Sequence, residues 1–155
     1  YFTKYPHIWG WGSWRRVWKD YDPDMKMWPI YKNSNEFKKL FKTPIERIYW
    51  KTILQAVYEE KIKTWDYQLL FSIWKKGGLS INPCVNLITN IGFDQRATHT
   101  TRNSKLSSLK TAPINKKLTS VNVIPNKRFD LYTSKHVFNI NMIQVVLKMV
   151  YYKLR

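Results

Sequence analysis

Residues 44 to 78 constrain the architecture of this 155-residue chain more than any other stretch. Pro44 suits the first turn of a helix, where its missing N–H is not needed. After it, Ile45, Ile48, Tyr49, Ile53, Ala56 and Val57 recur at helical spacing and form one apolar stripe that ends around Tyr58 to Lys61. Thr64 or Asp66 then caps a second helix, with Leu69, Leu70, Ile73 and Trp74 facing inward. Gly77-Gly78 stops it, because glycine accepts the left-handed conformation that follows a helix. Two amphipathic segments in succession demand a shared core.

The flanks are read with the same rules. Residues 1 to 31 carry Tyr1, Phe2, Tyr5, Trp9, Trp11, Trp14, Trp18, Tyr21, Trp28 and Tyr31. After Gly12, the residues Trp14, Val17, Trp18 and Tyr21 fall on one side of a helix and Arg15, Arg16 and Lys19 on the other, with Ser13 as its cap. Asp22-Pro23 ends it, since the residue before proline is driven out of the helical region. A short helix is expected from Glu36 to Phe41. Past Gly78, strands are expected over Leu79 to Ile81 and Val85 to Ile91, separated by Asn82-Pro83. Residues 94 to 117 read as a long polar loop, and Pro113 and Pro125 bracket an extended piece. From Ser134 onward the pattern is a helix with Val137, Ile140, Ile143, Leu147 and Val150 on one side. Two units are expected: residues 1–139, and a basic amphipathic tail helix over residues 140–155.

Charge sets the first functional bound. Lys and Arg number 27 against 10 Asp and Glu, a formal net charge of +17. Such a chain attracts polyanions, whether nucleic acid, anionic lipid headgroups or phosphorylated substrates. A coding sequence biased toward Lys, Asn and Ile would give the same balance without a polyanionic partner. The lone Cys84 makes no internal disulfide and no cysteine metal site, which suits a reducing compartment. No run approaches the ~18 apolar residues of a spanning helix. The chain opens at Tyr1 within an aromatic stretch, which reads as the edge of a fragment.

Three constellations carry possible chemistry. Thr64-Trp65-Asp66-Tyr67-Gln68 puts a carboxylate at a helix start beside a tryptophan. The helix dipole lowers the pKa of such a group and burial raises it, the balance a general base needs. The plainer reading is a helix-capping aspartate. Asn90-Ile91-Gly92 leads to Thr98-His99-Thr100. There a glycine lets backbone amides approach a ligand, and His99 could ligate a divalent metal or donate to a phosphate; the plainer reading is a solvated loop histidine. Trp9-Gly10-Trp11-Gly12-Ser13-Trp14 offers rings that stack on sugar or base faces, or else an aromatic core.

These segments together resemble bacterial nucleotide-diphospho-sugar transferases, some of them labelled hemolytic-protein-like. Tyr5-Pro6-His7-Ile8-Trp9-Gly10-Trp11-Gly12-Ser13-Trp14-Arg15-Arg16-Val17-Trp18, running on to Tyr21-Asp22, resembles their "WGWATWRRAW…YD" segment. Trp65-Asp66-Tyr67-Gln68 resembles "WDYQ", and Leu79 to Thr100 resembles "SIxPxxNLVxNIGFGxxATHT". The motifs keep their order and span roughly residues 1 to 139. That family is similar to inverting GT-A glycosyltransferases, whose N-terminal half binds a metal and a sugar nucleotide through an Asp-x-Asp motif.

The resemblance implies an α/β fold: the C-terminal, acceptor-side half of a GT-A-like domain, helix-rich with a few short mixed strands. It implies that Asp66 is the catalytic base and that Trp9, Trp11, Trp14, Trp65, Gln68, Asn90 and Gly92 bind substrate. His99 would lie near the diphosphate or a metal. A divalent Mn or Mg ion and a nucleotide-sugar donor would serve the complete enzyme, with a saccharide or lipid-linked acceptor. There are departures. Gly12 and Ser13 replace Ala and Thr, and Asp94-Gln95-Arg96 replaces a smaller, more acidic stretch. No Asp-x-Asp follows a strand, since Asp22-Pro23-Asp24 lies in a turn after a helix. The fragment is therefore expected to lack turnover alone and to need its missing N-terminal half or another chain. The expected location is cytoplasmic, with peripheral contact at the inner face of the membrane as an added option. The rivals are a basic, aromatic module for single-stranded nucleic acid, which is not favoured, and a membrane-surface module built on the tail helix.

Overall fold

The two amphipathic stretches do become the paired helices around which the rest is arranged. The structure is a computed structural model that describes residues 1–90, 109–114 and 122–155. In chain order its elements are β1 (Phe2–Thr3), α1 (Arg15–Lys19), α2 (Trp28–Tyr31), α3 (Asn35–Lys39), α4 (Pro44–Tyr58), α5 (Asp66–Lys75) and β2 (Ser80–Ile81). Then come α6 (Lys127–Tyr132), a π-helical turn (Thr133–Val137) and α7 (Met142–Leu154). Thr43 caps α4 by accepting the N–H of Glu46 at 3.2 Å, and Pro44 opens the helix as its sequence position predicts. At the end of α5, Gly77 adopts φ +66. Its N–H donates to the Trp74 carbonyl, and the Gly78 N–H donates to that of Ile73. Those two bonds are a Schellman cap.

The buried face of α4 is rotated from the predicted stripe. Tyr49, Ile53, Ala56 and Val57 are buried, but so are Glu46, Trp50 and Leu54, while Ile48 faces solvent. Trp50 explains the rotation, because its large ring area outweighs that of Ile48. It packs edge-on against Trp74 at 5.1 Å and Phe138 at 4.9 Å. On α5, Leu69, Leu70 and Trp74 are buried as expected, and Ile73 is half-buried. Trp28, Phe37 and Phe71 complete a core that is mostly aromatic.

The polar tips of these rings are satisfied, as burial requires. Trp74 Nε1 donates to the Lys4 carbonyl at 2.7 Å, Trp28 Nε1 to Gln55 Oε1 at 3.0 Å, and Tyr31 Oη to the Trp74 carbonyl at 2.9 Å. A buried ion pair sits among them: Lys4 Nζ lies 3.0 Å from Glu46 Oε1 and 2.7 Å from the Leu40 carbonyl. The same carboxylate oxygen accepts from Tyr5 Oη. Burial, and then the Glu46 charge, push the Tyr5 phenol far above its usual range.

Elsewhere the chain departs from expectation. β1 pairs antiparallel with β2, Phe2 opposite Ile81 and Thr3 opposite Ser80. No strand forms over residues 85–90. Side chains hold that segment instead: Asn86 Nδ2 reaches the carbonyls of Ile88, Leu109 and Lys110, and Thr89 Oγ1 donates to Leu109. Ser13 does not cap α1; Trp14 stands at that position with no side-chain cap bond. The single tail helix expected from Ser134 is broken. Asn139 takes φ +50, and Asn141 starts α7 by accepting the Gln144 N–H at 3.0 Å.

The described residues are thus helix-rich with two short antiparallel strands. Among them, no helix is long and apolar enough to cross a membrane.

Candidate functional site

Trp65 precedes α5, and its position determines what gathers around the start of that helix. It occupies the cap position without a side-chain cap bond, so neither Thr64 nor Asp66 is the cap. Trp11, from the loop before α1, stacks on it with ring centroids 5.7 Å apart and planes 22° from parallel. Trp18 of α1 leans on both, 5.9 Å from Trp11 and 6.4 Å from Trp65. Tyr21 meets Trp18 edge-on at 5.3 Å, and its hydroxyl lies 3.5 Å from the Trp65 carbonyl. Three indoles from three segments therefore form a cluster at the surface, each more than a third exposed.

The cluster is held from below and behind. The Asp22 N–H donates to Ser72 Oγ at 3.3 Å, and Ser72 Oγ donates to the Gln68 carbonyl at 2.9 Å, so the end of α1 rests on α5. Lys76 pairs with Asp20 at 3.0 Å. Gly10 fixes the other approach. It has φ +56, and a Cβ there would fall 2.6 Å from Ile88 Cγ2. Only glycine combines that backbone with that contact. Asn90 follows two residues after Ile88, on the segment the tryptophan loop packs against.

Asp66 is the first residue of α5, where the helix dipole favours a carboxylate. Its Oδ1 accepts from the Thr64 hydroxyl and from the Tyr67 N–H at 2.9 Å. Both bonds fall on one oxygen, and Oδ2 stands apart from them. The charge is felt nearby. Burial and then Asp66 raise the Tyr67 phenol to about 12, and the same causes in the same order raise Tyr21. Gln68 lies three residues after Trp65, hence on a neighbouring face of the helix. Among the described residues, its Oε1 is a buried acceptor with no hydrogen-bond partner.

The predicted site residues thus separate. Trp11, Trp65, Asp66 and Gln68 converge at the start of α5. Trp14 is exposed outside the stack, with the Arg16 guanidinium 4.8 Å from its ring centre, and Trp9 is exposed at the loop. Gly92 and His99 lie outside the described residues. Trp18 and Tyr21 were missed as site residues, because their helical spacing read as a core stripe. The structure departs from that reading: α1 has five residues and buries none of them.

A metal does not fit what is described. Among the described residues, no group of three or more His, Cys, Asp or Glu could hold an ion. Asp22 Oδ2 accepts the Lys26 N–H at 2.8 Å and Asp24 pairs with Lys26 at 3.5 Å, so Asp22-Pro23-Asp24 serves its own turn. No family model, curated protein or solved structure matches this chain.

Proposed function

We propose that the Trp11–Trp18–Trp65 face binds a saccharide, and that the chain is the acceptor-side part of an inverting, sugar-nucleotide-dependent glycosyltransferase. The observation that carries this reading is the exposed indole stack lying beside the carboxylate of Asp66. Flat apolar rings match the C–H faces of a sugar, while a neighbouring carboxylate matches its hydroxyls. In this reading Asp66 Oδ2 takes the proton of the acceptor hydroxyl. The acceptor's oxygen, freed of its proton, then bonds to the anomeric carbon of the donor sugar as the bond to the nucleoside diphosphate breaks. The Thr64 and Tyr67 bonds to Oδ1 hold the carboxylate in one orientation, the positioning a general base needs. The donor, and the charge that stabilises its leaving group, belong to another part of the complete enzyme.

The test is a tryptophan-fluorescence titration of the chain with a panel of neutral oligosaccharides. A saturable change insensitive to salt, lost in Trp65→Ala with the fold intact, supports the reading. Tight binding to single-stranded DNA that weakens steeply with salt, with no response to saccharides, replaces it with a nucleic-acid module.

A further inference from the structure

Helix α7 packs on α4 with the wrong side outward. The face toward α4 carries Val145, which belongs to the core, Lys148, whose Nζ lies 5.6 Å from the Tyr49 ring centre, and Tyr152. At 100° per residue the opposite face is Ile143, Leu147, Val150 and Leu154. These four are 72%, 57%, 52% and 83% exposed. The predicted apolar side of the tail helix is therefore its solvent side, with Val146 and Met142 extending it.

The charges at the end of this stripe are cationic. From Leu131 to Arg155 the sequence has no Asp or Glu, and Lys153 and Arg155 stand at the exposed C-terminal end. Arg155 also lines a cleft of about 330 Å³ with Glu60, Lys61, Lys63, Tyr151 and Tyr152. Lys61 is engaged there, 2.9 Å from Glu59 Oε2 and 2.6 Å from the Tyr152 carbonyl. Apolar stripes of this kind mark docking surfaces. A tail without acids from Leu131 onward, on a chain of charge +17, favours an anionic partner over another basic or neutral one. Thirteen residues at 1.5 Å each cannot span a bilayer but can lie in its surface.

We infer that α7 docks this chain onto an anionic lipid surface, with Ile143, Leu147, Val150 and Leu154 entering the headgroup boundary and Lys63, Lys153 and Arg155 meeting lipid phosphates. It involves none of the tryptophan-face residues, so it stands or falls apart from the saccharide reading.

The experiment is co-sedimentation of the full chain with vesicles of phosphatidylcholine alone and of phosphatidylcholine mixed equally with phosphatidylglycerol. The expected result is binding to the anionic vesicles only. Ile143→Gln and Leu147→Gln should each weaken it about tenfold, the value of one exposed aliphatic side chain entering an apolar phase. Lys153→Gln with Arg155→Gln should weaken it and flatten its salt dependence. Helix content by circular dichroism checks each fold, and Val150→Gln replaces any variant that fails. The inference is overturned if the chain ignores both vesicles, or if the glutamine variants bind as the parent does, which would leave surface charge alone. It is also overturned if the parent forms concentration-dependent oligomers that Leu147→Gln dissolves while vesicles are not bound, which makes the stripe a contact between protein copies.

Discussion

Three of the eight tryptophans are sealed in the core and five stand at the surface. Trp28, Trp50 and Trp74 are at most 1% exposed, while Trp9, Trp11, Trp14, Trp18 and Trp65 range from 37% to 57%. The sealed ones sit on helices that bury a face, and their indole N–H groups end on Gln55, Tyr5 and a backbone carbonyl. Of the exposed ones, Trp18 lies on a helix with no buried face and the other four lie outside helices. Residue type alone does not separate buried from exposed tryptophans here; the supporting element does. A tryptophan in a loop or at a helix start can keep one face free only if neighbours hold it, and Trp11, Trp18 and Trp65 hold one another.

The sharpest way to break the comparison is to truncate one ring from each population. Trp50→Ala should lower stability by about 3–5 kcal/mol, the usual cost of deleting a buried aromatic ring. Trp65→Ala should cost about 1 kcal/mol, the size of one aromatic contact. Urea unfolding measures both. Equal losses would mean that the surface cluster is core in another guise.

Alkaline pH loads both regions at once through their phenols. Burial first, and then the Glu36 carboxylate for Tyr31 and the Asp66 carboxylate for Tyr67, hold both hydroxyls up at about 12 against an ordinary value of 10.0. A raised folded pKa favours the protonated phenol in the fold. The stability this gives is complete below the unfolded value near 10 and is lost as pH rises toward 12. The urea midpoint should therefore fall across that window, with tyrosinate absorbance appearing together with unfolding. Asp66→Asn should bring Tyr67 down only part of the way, because burial is the larger cause. A midpoint that holds steady past pH 11 would remove the argument.

Much of the frame was legible because it is written in local chemistry. Pro44 and Gly77-Gly78 act within a turn or two, and the stripe of α5 finds its partner in α4, the helix next to it in sequence. The phase of α4 was misread at Ile48 because Trp50 is drawn toward Tyr5, Trp74 and Phe138, residues remote in sequence. α7 shows the same limit from the other side. Its spacing located an apolar face, but not that Val145 and Tyr152 would be the residues to meet α4. Of the candidate site, the sequence pattern singles out Trp11, Trp65, Asp66 and Gln68, which lie together, whereas Trp18 and Tyr21 join them only because Ser72 and Lys76 dock the end of α1 on α5.

Gly10 sharpens the comparison at the loop. Gly10→Ala places a methyl against Ile88 on a left-handed backbone, at a cost of about 1–2 kcal/mol. Because the strain lies beside Trp9 and Trp11, saccharide affinity should fall further than stability does. Gly12→Ala is the control, since a Cβ there meets nothing within 4 Å. Equal effects of the two substitutions would show that the loop is not held in register by Ile88.

The smallest effect is the most discriminating. Gln68 Oε1 is buried without a hydrogen-bond partner among the described residues, and such an acceptor costs about 1–3 kcal/mol relative to one that is bonded. Gln68→Met keeps the length of the side chain and removes the acceptor. If the oxygen serves only the fold, the change is neutral or raises the unfolding midpoint slightly, and saccharide binding is untouched. If it accepts a sugar hydroxyl beside the indole stack, the midpoint behaves the same way while affinity drops, since the bound hydroxyl loses its acceptor. Stability and affinity moving in opposite directions is thus the signature of a residue kept for recognition at the expense of the fold.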